Sequence, residues 1–382
     1  MERGPTGHKV PIPSVGEPCF AFVPKPLPPE PFVQWDGPLA ERAGVALGRL
    51  SGITSLLPDP HLLLYSYVRK EAVLSSQIEG TQSSLSELLL FENDAMAGVP
   101  LDDVVEVSNY VSALEHGLKL LREGLPVSLR LLKEIHGVLL AKGRGSEKTP
   151  GEFRTSQNWI GGSRPGNALF VPPPPDMVIE CMGALEKFLH DPATPALVRA
   201  GLSHAQFETI HPFLDGNGRT GRLMVTLLLC QEGLLAQPLL YLSLYLKRNR
   251  ALYYELLQRV RTHGVWEEWL DFFLRGVEET ANQAAETAGR LLRLFQKDRA
   301  LVHALGRKGM SALKLQDILQ RQPVITVPRL VKKHGFSGPT ANSALRLLME
   351  KGLVREITGY ARNRVFAYTE YLRTLNEGTE PL

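Results

Sequence analysis

A mainly α-helical chain, interrupted by one β-hairpin and closed by a helix–turn–helix with two short strands, is the fold class that the sequence predicts. Three observations lead there. Apolar residues recur at helical spacing from Gly37 to about Leu294. Residues 154–174, RTSQNWIGGSRPGNALFVPPP, break that spacing with glycine and proline. After residue 295 the helical spacing returns, then yields to β-prone residues around a turn. The length of 382 residues suggests two or three domains, and 43% apolar residues suffice for a sizeable core. A net charge of +3 with 22% charged residues excludes a uniformly basic nucleic-acid coat. Cys19, Cys181 and Cys230 lie far apart without a CxxC pair, which argues against a disulfide framework or structural zinc and favours a reducing compartment. The N-terminus, MERGPTGHKVPIPS, has no apolar signal core, and the stretch Leu223 to Cys230 is too short to span a bilayer. A cytoplasmic protein without membrane partners is expected.

The elements follow in order. Residues 1–38 hold ten prolines, so this segment cannot be helical and reads as an extended strap anchored by Phe20, Phe22, Phe32 and Trp35. For residues 1–15 a free tail is an equal reading. Asp59 and Pro60 suit a helix N-cap and first position. The periodic run HLLLYSYVRKEAVLSSQ then predicts a helix from His61 that stops by Gly80. Ser84 to Phe91 reads as a short helix, Asp102 and Asp103 open another, and Ser128 caps one running to about Ala141. Further helices are expected over 176–190, 195–210, after Asn217, and over roughly 249–262 and 266–294. Gln157–Ile160 and Ala168–Val171 flank a Gly/Pro-rich turn and predict the hairpin. The domains expected are 1–100, 101–294 and 295–382.

The chemistry concentrates in HPFLDGNGRTGR, residues 211–222. A helix begins there, and its first backbone N–H groups are unpaired at the positive end of the dipole, so the turn is an anion cradle. Gly216 and Gly218 allow a phosphate to approach the backbone. Arg219 and Arg222 are three apart and share a helix face that can meet phosphates. Asp215 is a hard oxygen ligand suited to Mg²⁺ between phosphates. His211 can serve as a general base near neutral pH. Taken singly, a histidine before proline and a Gly-Asn-Gly turn are ordinary loop features. Seven such positions within twelve residues fit nucleotidyl or phosphoryl transfer.

This stretch resembles the signature of the Fic family, His-x-Phe-x-(Asp/Glu)-Gly-Asn-Gly-Arg-x-x-Arg, at every defined position. HAQFETI before it and SLYLKRNRALYY after it are also similar to family sequence, and the likeness extends over about residues 20–290. The resemblance implies a Fic helical core and a protein adenylyltransferase that moves AMP from ATP, with Mg²⁺, onto Ser, Thr or Tyr hydroxyls. It implies that His211 deprotonates the hydroxyl, Phe213 anchors the loop and Asp215 holds Mg²⁺. Gly216, Asn217 and Gly218 would bind phosphates, Arg219 the β-phosphate and Arg222 the γ-phosphate. Thr220 and Gly221 complete the expected ATP-binding turn, with Asn249 and Tyr254 as nucleoside-pocket candidates. The hairpin, residues 154–172, corresponds to the family's flap, which holds a target protein, including a copy of this chain, by strand addition.

SSQIEG, residues 75–80, resembles the family's inhibitory motif, (Ser/Thr)-x-x-x-Glu-(Gly/Asn). Glu79 at a helix end would pair with Arg222 and occupy the arginine needed for the γ-phosphate. At the C-terminus, helix, turn, helix and two strands form a winged-helix pattern. Between Arg321 and Arg364 nine Lys/Arg against two Asp/Glu give +7, which leaves −4 elsewhere. That asymmetry suits duplex DNA, with Thr340, Asn342, Ser343 and Arg346 on the recognition helix and Arg362 and Arg364 in the wing. Winged helices equally serve as protein–protein or homodimer modules. Alternative functions are a DNA-binding regulator with a nucleotide-sensing core and removal of AMP by the same site. An intact base and Gly-Asn-Gly turn favour AMP transfer over sensing, phosphorylation or phosphocholination.

Overall fold

The computed structural model describes residues 3–13, 17–55, 62–93, 101–360 and 362–381, and helices dominate it. The proline-rich N-terminus is extended, but as a ribbon and not a single strap. β1 (Gly7–Ile12) pairs antiparallel with β2 (Cys19–Pro24), Gly7 opposite Pro24 and Ile12 opposite Cys19. A two-stranded ribbon has only edges, so prolines are tolerated where no donor is needed. The ribbon is tied down by Phe22 N–H on Val171 O at 2.9 Å. Gln206 Nε2 donates to Lys25 O at 2.8 Å, and Arg3 meets Glu267 at 2.7 Å.

The first half is built from α1 (Gly37–Ser55), α2 (Leu64–Ile78), α3 (Leu85–Phe91), α4 (Leu101–Arg122) and α5 (Leu129–Leu139). The cap expected at Asp59 and Pro60 lies outside the described residues. Ser84 caps α3 in a reciprocal box with Glu87, and Ser128 Oγ accepts Leu131 N–H at the head of α5. α2 is buried from Ser66 to Ile78, charged residues included, because helices pack on it from several sides. α6 (Val178–Leu189), α7 (Ala196–Ile210), α8 (Asn217–Gln231), α9 (Ser243–Arg248) and α10 (Arg250–His263) complete the core.

α11 (Trp266–His303) packs along α1 and runs straight through residue 294, so the expected domain boundary falls inside a helix. Beyond it come α12 (Met310–Arg321), β3 (Val324–Thr326), α13 (Val327–His334), α14 (Gly338–Glu350), β4 (Val354–Glu356), β5 (Val365–Tyr368) and α15 (Thr369–Asn376). The strands form an antiparallel sheet in the order β3-β5-β4. β3 and α15 were not legible in the sequence.

This C-terminal part is fastened to the core. Tyr368 OH donates to Asp298 Oδ2 at 2.7 Å, and Arg329 donates to Glu92 O at 2.5 Å. The final residues clasp α2: Lys70 Nζ donates to Glu377 O at 2.8 Å and Gln77 Nε2 to Thr379 O at 2.9 Å. Lys247 bridges Gln77 and the carbonyl of Glu380. Among the described residues no helix is long and apolar enough to cross a membrane.

Candidate active site

α7 ends at Ile210, and His211 turns left-handed (φ 49°, ψ 60°) with its N–H on Phe207 O at 2.8 Å. Pro212 disfavours right-handed helix at the residue before it, so the break is written into the sequence. A left-handed residue other than glycine is uncommon and clusters at functional positions. The chain loops to Gly216, also left-handed (φ 72°), and enters α8 at Asn217.

Asn217 staples this loop. Its Oδ1 accepts Phe213 N–H and its Nδ2 donates to Phe213 O, both at 2.8 Å. The amide thus gives its Oδ1 and one Nδ2 donor to the loop. Phe213 is fully buried and stacks on His136, ring centroids 3.7 Å apart. His136 Nδ1 accepts Gly151 N–H at 2.9 Å, so Nε2 carries the proton and donates to Asp215 O at 3.0 Å. Burial pushes the His136 pKa down to about 4. Arg154 Nε donates to His211 O at 3.0 Å and fixes the other side of the turn.

Glu79, the C-cap of α2, points at the first turn of α8. Its Oε1 accepts from Arg222 Nη2 at 2.7 Å. Arg222 also grips Ser75, Nε to Oγ at 2.8 Å and Nη2 to O at 2.9 Å. A Cβ on Gly218 would stand 2.2 Å from Glu79 Oε1, so the carboxylate rests directly against the start of α8. Unpaired N–H groups and the helix dipole favour an anion there, and the protein supplies its own. Burial alone would raise the Glu79 pKa; Arg222, aided by Arg219 and His211, outweighs it and holds the group below its ordinary value.

His211 is 21% exposed at its side chain. Burial, with Arg261 and Arg154 adding, pushes its pKa down to about 4, so the imidazole is neutral at pH 7. A cavity of about 650 Å³ opens before it, from Glu79 and Arg222 past His211 to Trp159, Tyr254 and Leu257.

The remaining predicted residues divide. Asp215 is half-buried, with Oδ1 accepting Gly216 N–H at 2.6 Å. Arg219 is only 1% exposed and donates to Glu106 Oε2 at 2.9 Å, so a buried acid already holds it. Thr220 and Gly221 are buried within α8 packing, Gly221 against Glu208 and Phe207. Asn249 joins α9 to α10 with Nδ2 on Tyr245 O at 3.0 Å and is not among the residues lining the cavity, whereas Tyr254 is. The flap, residues 154–172, closes through one antiparallel bridge, Ile160 to Phe170, in place of two strands. Gly161 and Gly162 turn left-handed at once, and Asn167 Oδ1 accepts the N–H groups of Ser163 and Arg164. Leu169, 79% exposed, is left at its rim. Glu106, His136, Arg154 and Glu208 were missed by sequence reasoning. Their partners lie far along the chain or in loops, and no local pattern marks them.

The Fic/DOC family N-terminal pattern matches residues 38–119 and the Fic/DOC family pattern residues 126–229. The chain is 30% identical over 230 residues to "Protein adenylyltransferase Fic" of Drosophila grimshawi, covering 58% of this chain and 44% of that protein. It is 29% identical over 186 residues to the protein of the same name from Drosophila ananassae, covering 47% and 34%. It therefore spans less than half the length of these curated relatives. A Fic family protein from Desulfovibrio desulfuricans G20 is similar in fold, with a TM-score of 0.56 at 20% identity over 88% of this chain and 97% of that one. This chain thus carries a Fic/DOC family N-terminal region and, with the loop from His211 to Arg222 inside it, a Fic/DOC family region.

Proposed function

We propose that this protein transfers AMP from ATP to a Ser, Thr or Tyr hydroxyl of a protein and that Glu79 restrains it. The observation that carries the reading is a neutral imidazole beside a helix start whose anion place is filled by a carboxylate. The names of the curated relatives support the same activity. His211 takes the hydroxyl proton as the oxygen attacks the α-phosphorus. The bond from that phosphorus to the bridging oxygen breaks, and pyrophosphate leaves. The backbone of Gly216, Asn217 and Gly218 cradles the phosphates, and Arg222, once released by Glu79, takes the γ-phosphate. Tyr254 borders the space for the nucleoside. Arg219 acts through the shape of α8, because Glu106 holds its guanidinium.

Mg²⁺ suits Asp215, whose Oδ1 takes Gly216 N–H and whose Oδ2 is left to meet a cation. Among the described residues no group of three His, Cys, Asp or Glu is placed to hold a metal, so phosphates and water would supply the other ligands, as this ion prefers. Bound there, Mg²⁺ would neutralise phosphate charge. The test compares α-labelled with γ-labelled ATP. Protein labelled only from the α-label is expected, and His211→Ala is expected to abolish it while ATP binding persists. Label from the γ-phosphate would overturn the reading, and loss of preloaded AMP on incubation would assign removal to the site.

A second reading concerns the C-terminal unit. Thr340, Ser343 and Arg346 are exposed along α14, and Arg364 Nη2 reaches Asn342 Oδ1 at 3.3 Å, which brings Arg364 beside that helix. We infer a duplex-DNA surface. Binding should weaken with salt by about 0.9 log unit per log salt for each phosphate met. Arg346→Ala with Arg362→Ala and Arg364→Ala should flatten that slope; no binding at low salt would leave a protein-interaction module.

A further inference from the structure

Glu208 lies one turn before His211 on α7, and its carboxyl Oε2 is 3.8 Å from His211 Nδ1. Both side chains carry an unmet polar atom. His211 Nδ1 and Glu208 Oε1 are buried without a hydrogen-bond partner. Buried polar atoms are nearly always bonded, so two orphans on facing side chains ask for a reason.

Most surrounding donors are spoken for, His204 Nδ1 one turn earlier on α7 being a further buried atom without a partner. Arg222 is held by Ser75 and Glu79. Arg261 donates to the Glu208 backbone carbonyl and to Thr209 Oγ1. Tyr253 OH is bonded to His204 Nε2 at 2.8 Å. Gly221, where a Cβ would come within 3.1 Å of Glu208 Oε1, keeps room beside the carboxyl. The imidazole Nδ1 lies 3.8 Å from the carboxyl, with the Glu208 backbone carbonyl as its rival acceptor, and a rotation of either side chain would bring Nδ1–H to the carboxylate.

We propose that Glu208 is the positioning residue for His211: its carboxylate accepts Nδ1–H, leaves the lone pair on Nε2, and offsets the charge the imidazole gains. This rests on the reading of His211 as general base. In the step, the hydroxyl proton passes to Nε2 while the oxygen bonds the α-phosphorus and pyrophosphate departs. The imidazolium keeps its Nδ1 proton toward Glu208 and gives the Nε2 proton to water afterwards. The arrangement follows the general logic of a base oriented by an adjacent carboxylate. Burial pushes the Glu208 pKa up to about 7, which keeps the group close to its ionising point at neutral pH.

The test uses the full chain with Glu79→Gly, then adds Glu208→Ala or Glu208→Gln. With ¹⁵N-labelled imidazole, the parent should show His211 protonated at Nδ1, and Glu208→Ala should lose that preference. With α-labelled ATP, both variants should lower kcat by about 10- to 100-fold while the KM for ATP moves less than about threefold. Glu208→Gln preserves shape, so a fall in kcat at an unchanged melting temperature is not a packing defect. An unchanged kcat and tautomer would reduce Glu208 to packing and overturn the proposal. A raised KM with unchanged kcat would make it a nucleoside contact and also overturn it. If the Glu79→Gly parent transfers no AMP, the transfer reading fails, and the tautomer spectra alone still decide the role of Glu208.

Discussion

Glu79→Gly is the perturbation with the most direct consequence for activity. The Glu79 carboxylate accepts a hydrogen bond from Arg222 at 2.7 Å, with the acid 29% and the arginine 2% exposed at their side chains. A charge-assisted hydrogen bond in such a setting is worth about 1.5–3 kcal/mol. If the competent state needs that bond broken, it is populated at roughly 1–10%, and removing the carboxylate should raise AMP transfer by about 10- to 150-fold. Arg222 should stay in place, because its two bonds to Ser75 do not involve Glu79. The assay is incorporation from α-labelled ATP at saturating nucleotide, into a lysate and into the protein itself. Glu79→Asp keeps the charge at shorter reach and should activate partly. Adding His211→Ala should silence every variant, since release cannot replace a base. An unchanged rate in Glu79→Gly on all substrates would refute the restraint and leave Glu79 an ordinary helix end.

Three other outcomes follow from buried charge. Glu106→Ala strands Arg219, 1% exposed, beside a lost partner, and should cost about 3–5 kcal/mol in denaturant unfolding; a loss below about 1 kcal/mol would show that Asp215, 3.7 Å away, or solvent replaces the pair. Glu71 is buried against Ser243, and burial raises its pKa to about 7. A raised folded pKa gives stability that is full below about 4.5 and lost as pH rises through about 7, up to roughly 3 kcal/mol. Glu71→Gln should flatten that decline between pH 5 and 8, and an unaltered pH profile of melting would place the charge elsewhere. Removing residues 377–382 takes backbone acceptors from Lys70, Gln77 and Lys247. The truncated protein should melt lower and transfer AMP faster at rest, because α2 carries Glu79; an unchanged melting temperature would rule the clasp out as a support.

The parts of this fold legible in the sequence are those with local causes. Ser84 and Ser128 announce their helices because a cap acts within three residues. The loop from His211 to Arg222 is legible because its chemistry lies within one stretch. What was not legible depends on partners far along the chain. Glu106 and Arg219 are 113 residues apart, and nothing near either residue names the other. The β1–β2 ribbon was hidden by its prolines, which suit an edge as well as an unpaired strap. The boundary placed at residue 294 is different, because the contrary signal was present. No glycine or proline stands between Arg290 and Leu305, so α11 had no reason to stop, and the boundary rested on the change of pattern after residue 295.

On the proposed reading, Glu79 and a nucleotide phosphate would compete for one place beside Gly218. Gly218 has no side chain, yet the space above its Cα is already filled, since a Cβ would approach Glu79 Oε1 to 2.2 Å and Arg222 Nη1 to 3.1 Å. A γ-phosphate that seeks Arg222 must enter the same space. The proposed restraint would then be no lid that ATP could slip beneath but an anion in the place proposed for the phosphate, held by the Arg222 guanidinium and the dipole of α8. Such a restraint weakens when α2 moves and α8 does not. Within the described residues, α2 is gripped on one side by Arg222 and on another by the last residues of the chain. The last residues of the chain thus touch the helix that carries Glu79 through Gln77 and Lys70, while Asn217 and Phe213 hold the loop before α8 independently of them.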